Sequence, residues 1–462
     1  MSVALVYPFR RNVDIGAGPP IGLLYLATYL KKRGFESFVI DLGGEESSDD
    51  EVIDGLLRRR PAIVGFPLYS VNMKKVYDFS VRLRDKGYSG AIVIGAQHAT
   101  ALPEEAMGDF RHVDYLIRYE AEIPLAKLAA YVIEGKGRLD DIENLYYREG
   151  GIKHTAQTPD INRDLDGLPF PDRSFLERYY RKGIYNRPYT RASCDFMICA
   201  RGCPFRCNFC FPSNSAFRTR STENIISELR YLKGLGRRHV EILDDTFTAN
   251  KKELEKTLTA IAGAKLNISF KIRSRANVID ERLMALMKAA GVRMIVYGVE
   301  SGSDRMLKAM NKAVTAAENA RAIEITKKAG IACFADIFVG YPGEDAESIE
   351  ETVGFLLKTR PLGINIGAYY PLPLTVGFER AKAEGTLKGN WSFRHTRHPY
   401  VKLDWVENLH DLQKAVRMIR KRFYLHPAVF RGTAAFVLRN VGIGDLPRIL
   451  SISKRMMFAK SN

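Results

Sequence analysis

Five of the six cysteines in this chain, Cys194, Cys199, Cys203, Cys207 and Cys210, fall within 17 consecutive positions. The run Cys203-Pro204-Phe205-Arg206-Cys207-Asn208-Phe209-Cys210 sets three thiols at the spacing C-x3-C-x2-C. Three thiolates on one tight loop suit a 4Fe–4S cluster, whose irons take cysteine ligands. With three protein ligands one iron stays open, able to chelate a small molecule and pass it an electron. Structural zinc takes four protein ligands, so a zinc reading must recruit Cys199 or Cys194. The spacing alone leaves zinc open, but the loop leads into a long β/α series, whereas zinc knuckles are small and self-contained. Cys194 and Cys199 read as packing beside the loop, and Cys333, inside an apolar run, as a small buried hydrophobe. A secreted disulfide framework would spread its cysteines along the chain, so the clustering points to metal chemistry in a reducing compartment.

Such a loop needs a scaffold, and the flanking sequence describes two. Over residues 1–135 short apolar runs alternate with helix-like stretches, the pattern of a doubly wound parallel sheet. Val3–Tyr7, Ser37–Asp41, Ala62–Phe66, Ala91–Gly95 and Asp114–Ile117 are the predicted strands, and Gly22–Arg33 is a helix. Ligands of such sheets sit beyond the C-terminal strand ends, which here carry Asp41, Ser70 and the stretch from Gly95 to Thr100. Residues 136–190, punctuated by Pro159, Pro169, Pro171 and Pro188, read as a linker. A second β/α series occupies 191–380, with strands expected at His239–Leu243, Ile268–Ile272, Met294–Val299, Ala332–Phe338 and Ile364–Tyr370 and helices at Thr222–Leu235, Glu281–Ala290 and Ala316–Ala329. That is enough for a full or partial barrel. Residues 381–462 read as mainly helical and basic.

With 462 residues, 46% hydrophobic and 27% charged, the chain has material for a buried core and is not a disordered polymer. The net charge of +17 is uneven: after residue 410 eleven Lys and Arg face two Asp. The remainder is mildly basic, which does not mark a nucleic-acid binder. Met1–Pro8 lacks a basic segment followed by an apolar one, and no apolar run is long enough to span a bilayer, so a cytoplasmic protein is expected. Basic residues interleaved with Phe423, Tyr424, Phe430, Phe436 and Phe458 suit peripheral contact with an anionic inner-membrane face or a lipid-like substrate. The alternative is a helical cap over the open end of the barrel.

The stretch Arg201-Gly202-Cys203-Pro204-Phe205-Arg206-Cys207-Asn208-Phe209-Cys210 resembles the signature loop of the radical S-adenosylmethionine (radical SAM) enzymes. The resemblance implies that Cys203, Cys207 and Cys210 ligate three irons of the cluster and that SAM binds the fourth. Electron transfer then cleaves SAM to methionine and a 5′-deoxyadenosyl radical, which abstracts hydrogen from an unactivated carbon. It also implies a set of SAM contacts: Phe209 near the adenine, Asp244 and Asp245 after the second strand, Arg275 after the third, Glu300 and Ser301 after the fourth, and Gly340 and Gly343 after the fifth. A flavodoxin or ferredoxin is the implied electron donor.

The first domain has a relative as well. Gly18-Pro19-Pro20-Ile21-Gly22, Gly95-Ala96-Gln97-His98-Ala99-Thr100 and Tyr119-Glu120-Ala121-Glu122 are similar to the cobalamin-binding domain that precedes many radical SAM barrels. Pro20, Gly22, Asp41, Ser70, Gly95, Gln97, His98, Ala99, Thr100 and Glu120 are the residues the resemblance places near the corrin. The Asp-x-His-x-x-Gly motif of cobalamin-dependent mutases is absent, since Asp41-Leu42-Gly43-Gly44 holds no histidine, so cobalt is expected to lack an imidazole ligand. His98 reads as a loop residue rather than a substitute ligand. No cysteine precedes Cys194, which disfavours a methylthiotransferase with a second cluster. The expected activity is cobalamin-dependent methylation of an unactivated carbon. The alternatives are oxidative ring closure, as in the anaerobic magnesium-protoporphyrin monomethyl ester cyclases, and a non-catalytic corrin- or nucleic-acid-binding regulator.

Overall fold

A computed structural model describes residues 1–9, 18–186, 194–211, 216–394 and 398–440. The first sheet has seven strands: β1 (Ser2–Tyr7), β2 (Glu36–Asp41), β3 (Ile63–Pro67), β4 (Ala91–Gly95), β5 (Tyr115–Ile117), β6 (Leu145–Arg148) and β7 (Ile152–His154), in the order β2-β1-β3-β4-β5-β6-β7. The first five run parallel. Strand alternation divides the core: Val3 and Leu5 face the helices Ile21–Lys32 and Glu122–Glu134, whereas Ala4 and Val6 face Asp49–Arg59 and Met73–Asp85. Because both faces are covered, β3 is buried at every position.

The expected linker 136–190 is largely part of this domain. β6 and β7 continue its sheet in antiparallel sense, and Leu165, Leu168, Leu176, Tyr179, Tyr180 and Tyr185 join its core. The prolines punctuate loops between short elements, so they mark turns of a packed segment. Pro188 lies outside the described residues.

The second sheet contains β8 (Cys194–Met197), β11 (His239–Ile242), β12 (Ser269–Ser274), β13 (Val292–Glu300), β14 (Ala332–Val339) and β15 (Gly363–Ala368). A ribbon of β9 (Ala200–Arg201) and β10 (Arg218–Thr219) brackets the cysteine loop. The six strands are parallel and sequential, β8-β11-β12-β13-β14-β15, an open partial barrel. Cys333, Ala335, Ile337 and Val339 of β14 point outward into the helical layer. Their neighbours point inward, where Arg273 pairs with Asp336 at 2.6 Å and Lys271 with Glu241 at 2.8 Å. Burial of apolar side chains on the outer face holds the barrel together, and the hollow keeps the polar ones.

The helix Leu409–Tyr424 packs Leu412, Ala415, Val416, Ile419 and Phe423 into the outer layer of the barrel. The helix Pro427–Asn440 follows, with Ala428, Gly432 and Thr433 beside the N-terminal ends of β8, β11 and β12. A cap over the open end of the barrel was expected; these helices instead brace its side and its N-terminal end. The part of the basic tail at 441–462, including Arg448, Lys454, Arg455, Phe458 and Lys460, lies outside the described residues. No helix among the described residues is long and apolar enough to cross a membrane.

Candidate active site between the two sheets

The cysteine loop leaves β9 and is held by several backbone and side-chain contacts. Asn208 receives the hydrogen bond of Gly377 N–H at 2.8 Å through its carbonyl and donates its own N–H to Met310 O at 2.9 Å. Asp244, fully buried at the end of β11, accepts from Cys199 N–H at 2.7 Å and Ala200 N–H at 3.0 Å. Burial pushes this carboxyl up to about 7. Asp244 was expected to contact SAM; in the structure its carboxylate caps the base of the cysteine loop. Asp245 is exposed beside it.

Cys203 and Cys207 are half-buried and Cys210 is exposed. Among the described residues no three His, Cys, Asp or Glu side chains converge on one point. Three thiols on one loop suit a four-iron cube, in which each sulfur meets a different iron. The Cys207 thiol is drawn down to about 6, first by a hydrogen bond from Cys210 and then by the charges of Lys312 and Arg275. Phe209 packs edge-on against Phe338 of β14, ring centroids 5.0 Å apart, and so sits at the C-terminal mouth of the barrel.

Glu300 ends β13 in the left-handed region (φ 64°) and pairs with Lys312 at 2.8 Å. Lys312 Nζ also lies 5.5 Å from the centre of the Phe209 ring. Lys312 belongs to no recognisable local pattern; only the folded turn after Met310 brings it to the cysteine loop, and the sequence reading missed it.

Three expected SAM contacts are engaged elsewhere. The Arg275 guanidinium lies 3.9 Å over Phe205, with Nη1 3.4 Å from Cys207 Sγ and Nη2 donating to Lys312 O. It braces the loop from behind because its strand end lies beneath it. Ser301 is 1% exposed and spends its hydroxyl on Thr352 and on Ser303 N–H. Gly340 (φ 98°) is needed because Leu412 fills the space of its missing Cβ, and its N–H donates to Glu344. Gly343 (φ 87°) has open space around it.

A cavity of about 970 Å³ lies at the C-terminal ends of β1, β3, β4 and β5. Its far wall is Phe196, Ile198 and Leu243 from β8 and β11, together with Arg201 at the root of the cysteine loop. Pro20, Gly22, Gly95 and Glu120 line it as expected, joined by Tyr119 of the same stretch as Glu120 and by Tyr7 and Tyr69, which the sequence reading did not single out. Gly65 and Gly95 keep two strand ends free of side chains there, as the approach of a broad flat ligand requires. Asp41 does not line it: fully buried, it accepts from Gly43 N–H and from the Tyr185 hydroxyl at 2.9 Å, a partner supplied by the supposed linker. Ser70 and His98 also turn away from it and bond each other, Oγ to Nδ1 at 2.9 Å. His98 is 2% exposed, and burial lowers its pKa to about 4. Thr100 accepts from Tyr119 N–H and Arg118, while Gln97 and Ala99 are absent from the lining.

An ionic clasp closes the seam. Arg201 pairs with Glu122 at 2.6 Å and with Glu120 at 3.4 Å, and Arg218 pairs with Glu120 at 2.6 Å. Asn162 donates to both carboxylates.

Two domain families match this chain in this order: residues 15–129 match the B12 binding domain and residues 197–356 the radical SAM superfamily. The protein therefore joins a B12-binding domain to a radical SAM partial barrel. An uncharacterized methyltransferase of Pyrococcus horikoshii is 29% identical over 93% of this chain and 94% of its own. The anaerobic magnesium-protoporphyrin IX monomethyl ester cyclase of Rubrivivax gelatinosus is 27% identical over 79% of this chain and 66% of its own. In fold the chain is similar to the radical SAM methyltransferase TsrM of Kitasatospora setae, solved with cobalamin and a 4Fe–4S cluster, at a TM-score of 0.75 and 17% identity over 93% of this chain and 90% of that one.

Proposed function

We propose that this protein is a cobalamin-dependent radical SAM methyltransferase acting on an unactivated carbon. The observation that carries the reading is the shared wall: the cavity at the first sheet's strand ends is closed by Arg201, two residues before the first cysteine of the loop. A cofactor held in that cavity and one held by the three cysteines would act on one substrate. When bound, the cluster with SAM supplies hydrogen abstraction, and cobalamin supplies the methyl group.

The residues fit these groups. Cys203, Cys207 and Cys210 provide three sulfurs, and Glu300, Lys312 and Phe209 offer an acceptor, a cation and a ring at the barrel mouth for the amino, carboxylate and adenine parts of SAM. Gly22, Gly65 and Gly95 would leave room for a corrin edge, and Glu120 and Arg201 would offer it polar contacts. Tyr7, Tyr69 and Tyr119 give the cavity aromatic surface that would exclude water from a bound corrin.

The test is anaerobic turnover by reconstituted protein supplied with cobalamin, SAM and a low-potential reductant. Formation of 5′-deoxyadenosine together with S-adenosylhomocysteine, and a product heavier by one methylene, is the expected result. Oxidative cyclisation is the second reading, favoured by the similarity to the Rubrivivax cyclase; it would give 5′-deoxyadenosine and no methylene gain. Absence of SAM cleavage under these conditions would remove both.

A further inference from the structure

Arg275 is 5% exposed, yet none of its contacts among the described residues is to a carboxylate. Its Nη1 meets the sulfur of Cys207, its Nη2 is spent on the carbonyl groups of Lys312 and Ala313, and its Nε has no partner. Burying a guanidinium without a counter-charge is strongly unfavourable. The other two buried arginines among the described residues obey that rule: Arg173 has Asp195 and Glu228, and Arg220 has Glu228; the less buried Arg201 also has Glu122. Arg275 is the exception, and it sits against the cysteine loop.

A four-iron cluster bound by three thiolates carries net negative charge and becomes more negative on reduction. With the Cys207 thiolate among its ligands it supplies the counter-charge that no carboxylate provides, and its sulfurs accept hydrogen bonds. Hydrogen bonds to cluster sulfurs and nearby positive charge favour the reduced state and raise the reduction potential.

We propose that Arg275 is a positioning residue that tunes the cluster: it donates to the Cys207 sulfur and compensates the charge gained when one electron enters from a low-potential donor. No proton moves in this step, and the guanidinium stays charged. The proposal rests on the radical SAM reading but goes beyond it, because the neighbouring cation Lys312, paired with Glu300, cannot take this role in full. Phe205 beneath the guanidinium fixes its plane, so a lysine could keep the charge without making the sulfur and carbonyl contacts together.

The experiment uses the full chain, reconstituted anaerobically, with iron content measured first. Wild-type protein labelled with ¹⁵N-arginine and reduced with dithionite is expected to show a ¹⁵N hyperfine coupling in pulsed EPR, absent in R275K. Redox titration followed by EPR is expected to place the midpoint of R275Q below wild type, with R275K between them. A four-iron wild-type cluster without the arginine coupling, or an R275Q midpoint equal to wild type, overturns the proposal and leaves the radical SAM reading intact. Should R275Q hold no cluster, the label and R275K decide. A wild type that binds no four-iron cluster defeats the radical SAM reading itself, and this proposal with it.

Discussion

At the scale of residues the three loop cysteines and Cys333 separate a chemical role from a packing one. Changing Cys203, Cys207 or Cys210 to Ala is expected to abolish both the cluster's visible absorption and SAM cleavage, since in the proposed reading each thiolate would hold a different iron. Cys333 is 1% exposed in the outer layer, so Cys333→Ala should cost about 1 kcal/mol of stability for a small cavity and leave both readouts in place. Retained cleavage in any loop variant would contradict the assignment. His98 makes a second residue-level prediction. Its folded pKa of about 4 lies below the ordinary 6.5, so between those values the unfolded chain binds the proton and the folded one does not. Stability then falls as pH drops from 6.5 toward 4, by at most about 3 kcal/mol for a group this buried. His98→Asn should flatten that part of the melting-temperature profile. Bound to the wild-type protein, hydroxocobalamin should give a spectrum without imidazole ligation, unchanged in His98→Asn, because the ring is turned toward Ser70.

At the scale of elements the segment 165–185 behaves as a bolt between the sheets. Arg173, 1% exposed, pairs with Asp195 at 3.1 Å on β8 and with Glu228 at 2.9 Å on the helix Thr222–Gly234, and also donates to Phe196 O. Arg173→Met would leave these acids with Arg237 and Arg220 alone. A loss of about 3 kcal/mol is expected, read as a lower urea midpoint; an unchanged midpoint would mean that the remaining arginines suffice. The sequence did not reveal this bolt, for a physical reason. Arg173 gains its meaning only from partners 22 and 55 positions away. The five parallel strands of the first domain and the barrel strands after β8 were legible because each concentrates β-branched and apolar residues between turn signals. In the site, the cysteine loop was legible from local spacing, and Glu300 only from the resemblance of its strand end to those of radical SAM enzymes. Lys312 and the embrace of Asp41 by Tyr185 were not, since long-range packing alone creates them. Arg275 was found, but its direction could not be, because a strand-end side chain can turn toward the mouth or under the loop.

At the scale of the whole molecule the question is what the basic C-terminal region meets. The helix Leu409–Tyr424 has already committed its apolar stripe to the barrel, and several of its cations are engaged: Lys414 with Asp411 at 3.2 Å, Arg422 with Glu350, and Arg420 with Ile366 O at 2.6 Å. That helix offers little to a bilayer. Beyond it Leu425 is 55% and Phe430 65% exposed, and Arg431 follows. Two exposed apolar side chains flanked by cations suit shallow contact with an anionic surface, each nearby basic residue adding on the order of 1 kcal/mol at low salt. Two side chains bury too little apolar area to hold the protein once charge is screened. Flotation with anionic vesicles is therefore expected to be weak at low salt, abolished at high salt, absent with neutral vesicles, and reduced in a variant carrying Leu425→Ser and Phe430→Ser. No flotation at low salt would leave the region as a structural brace of the barrel alone.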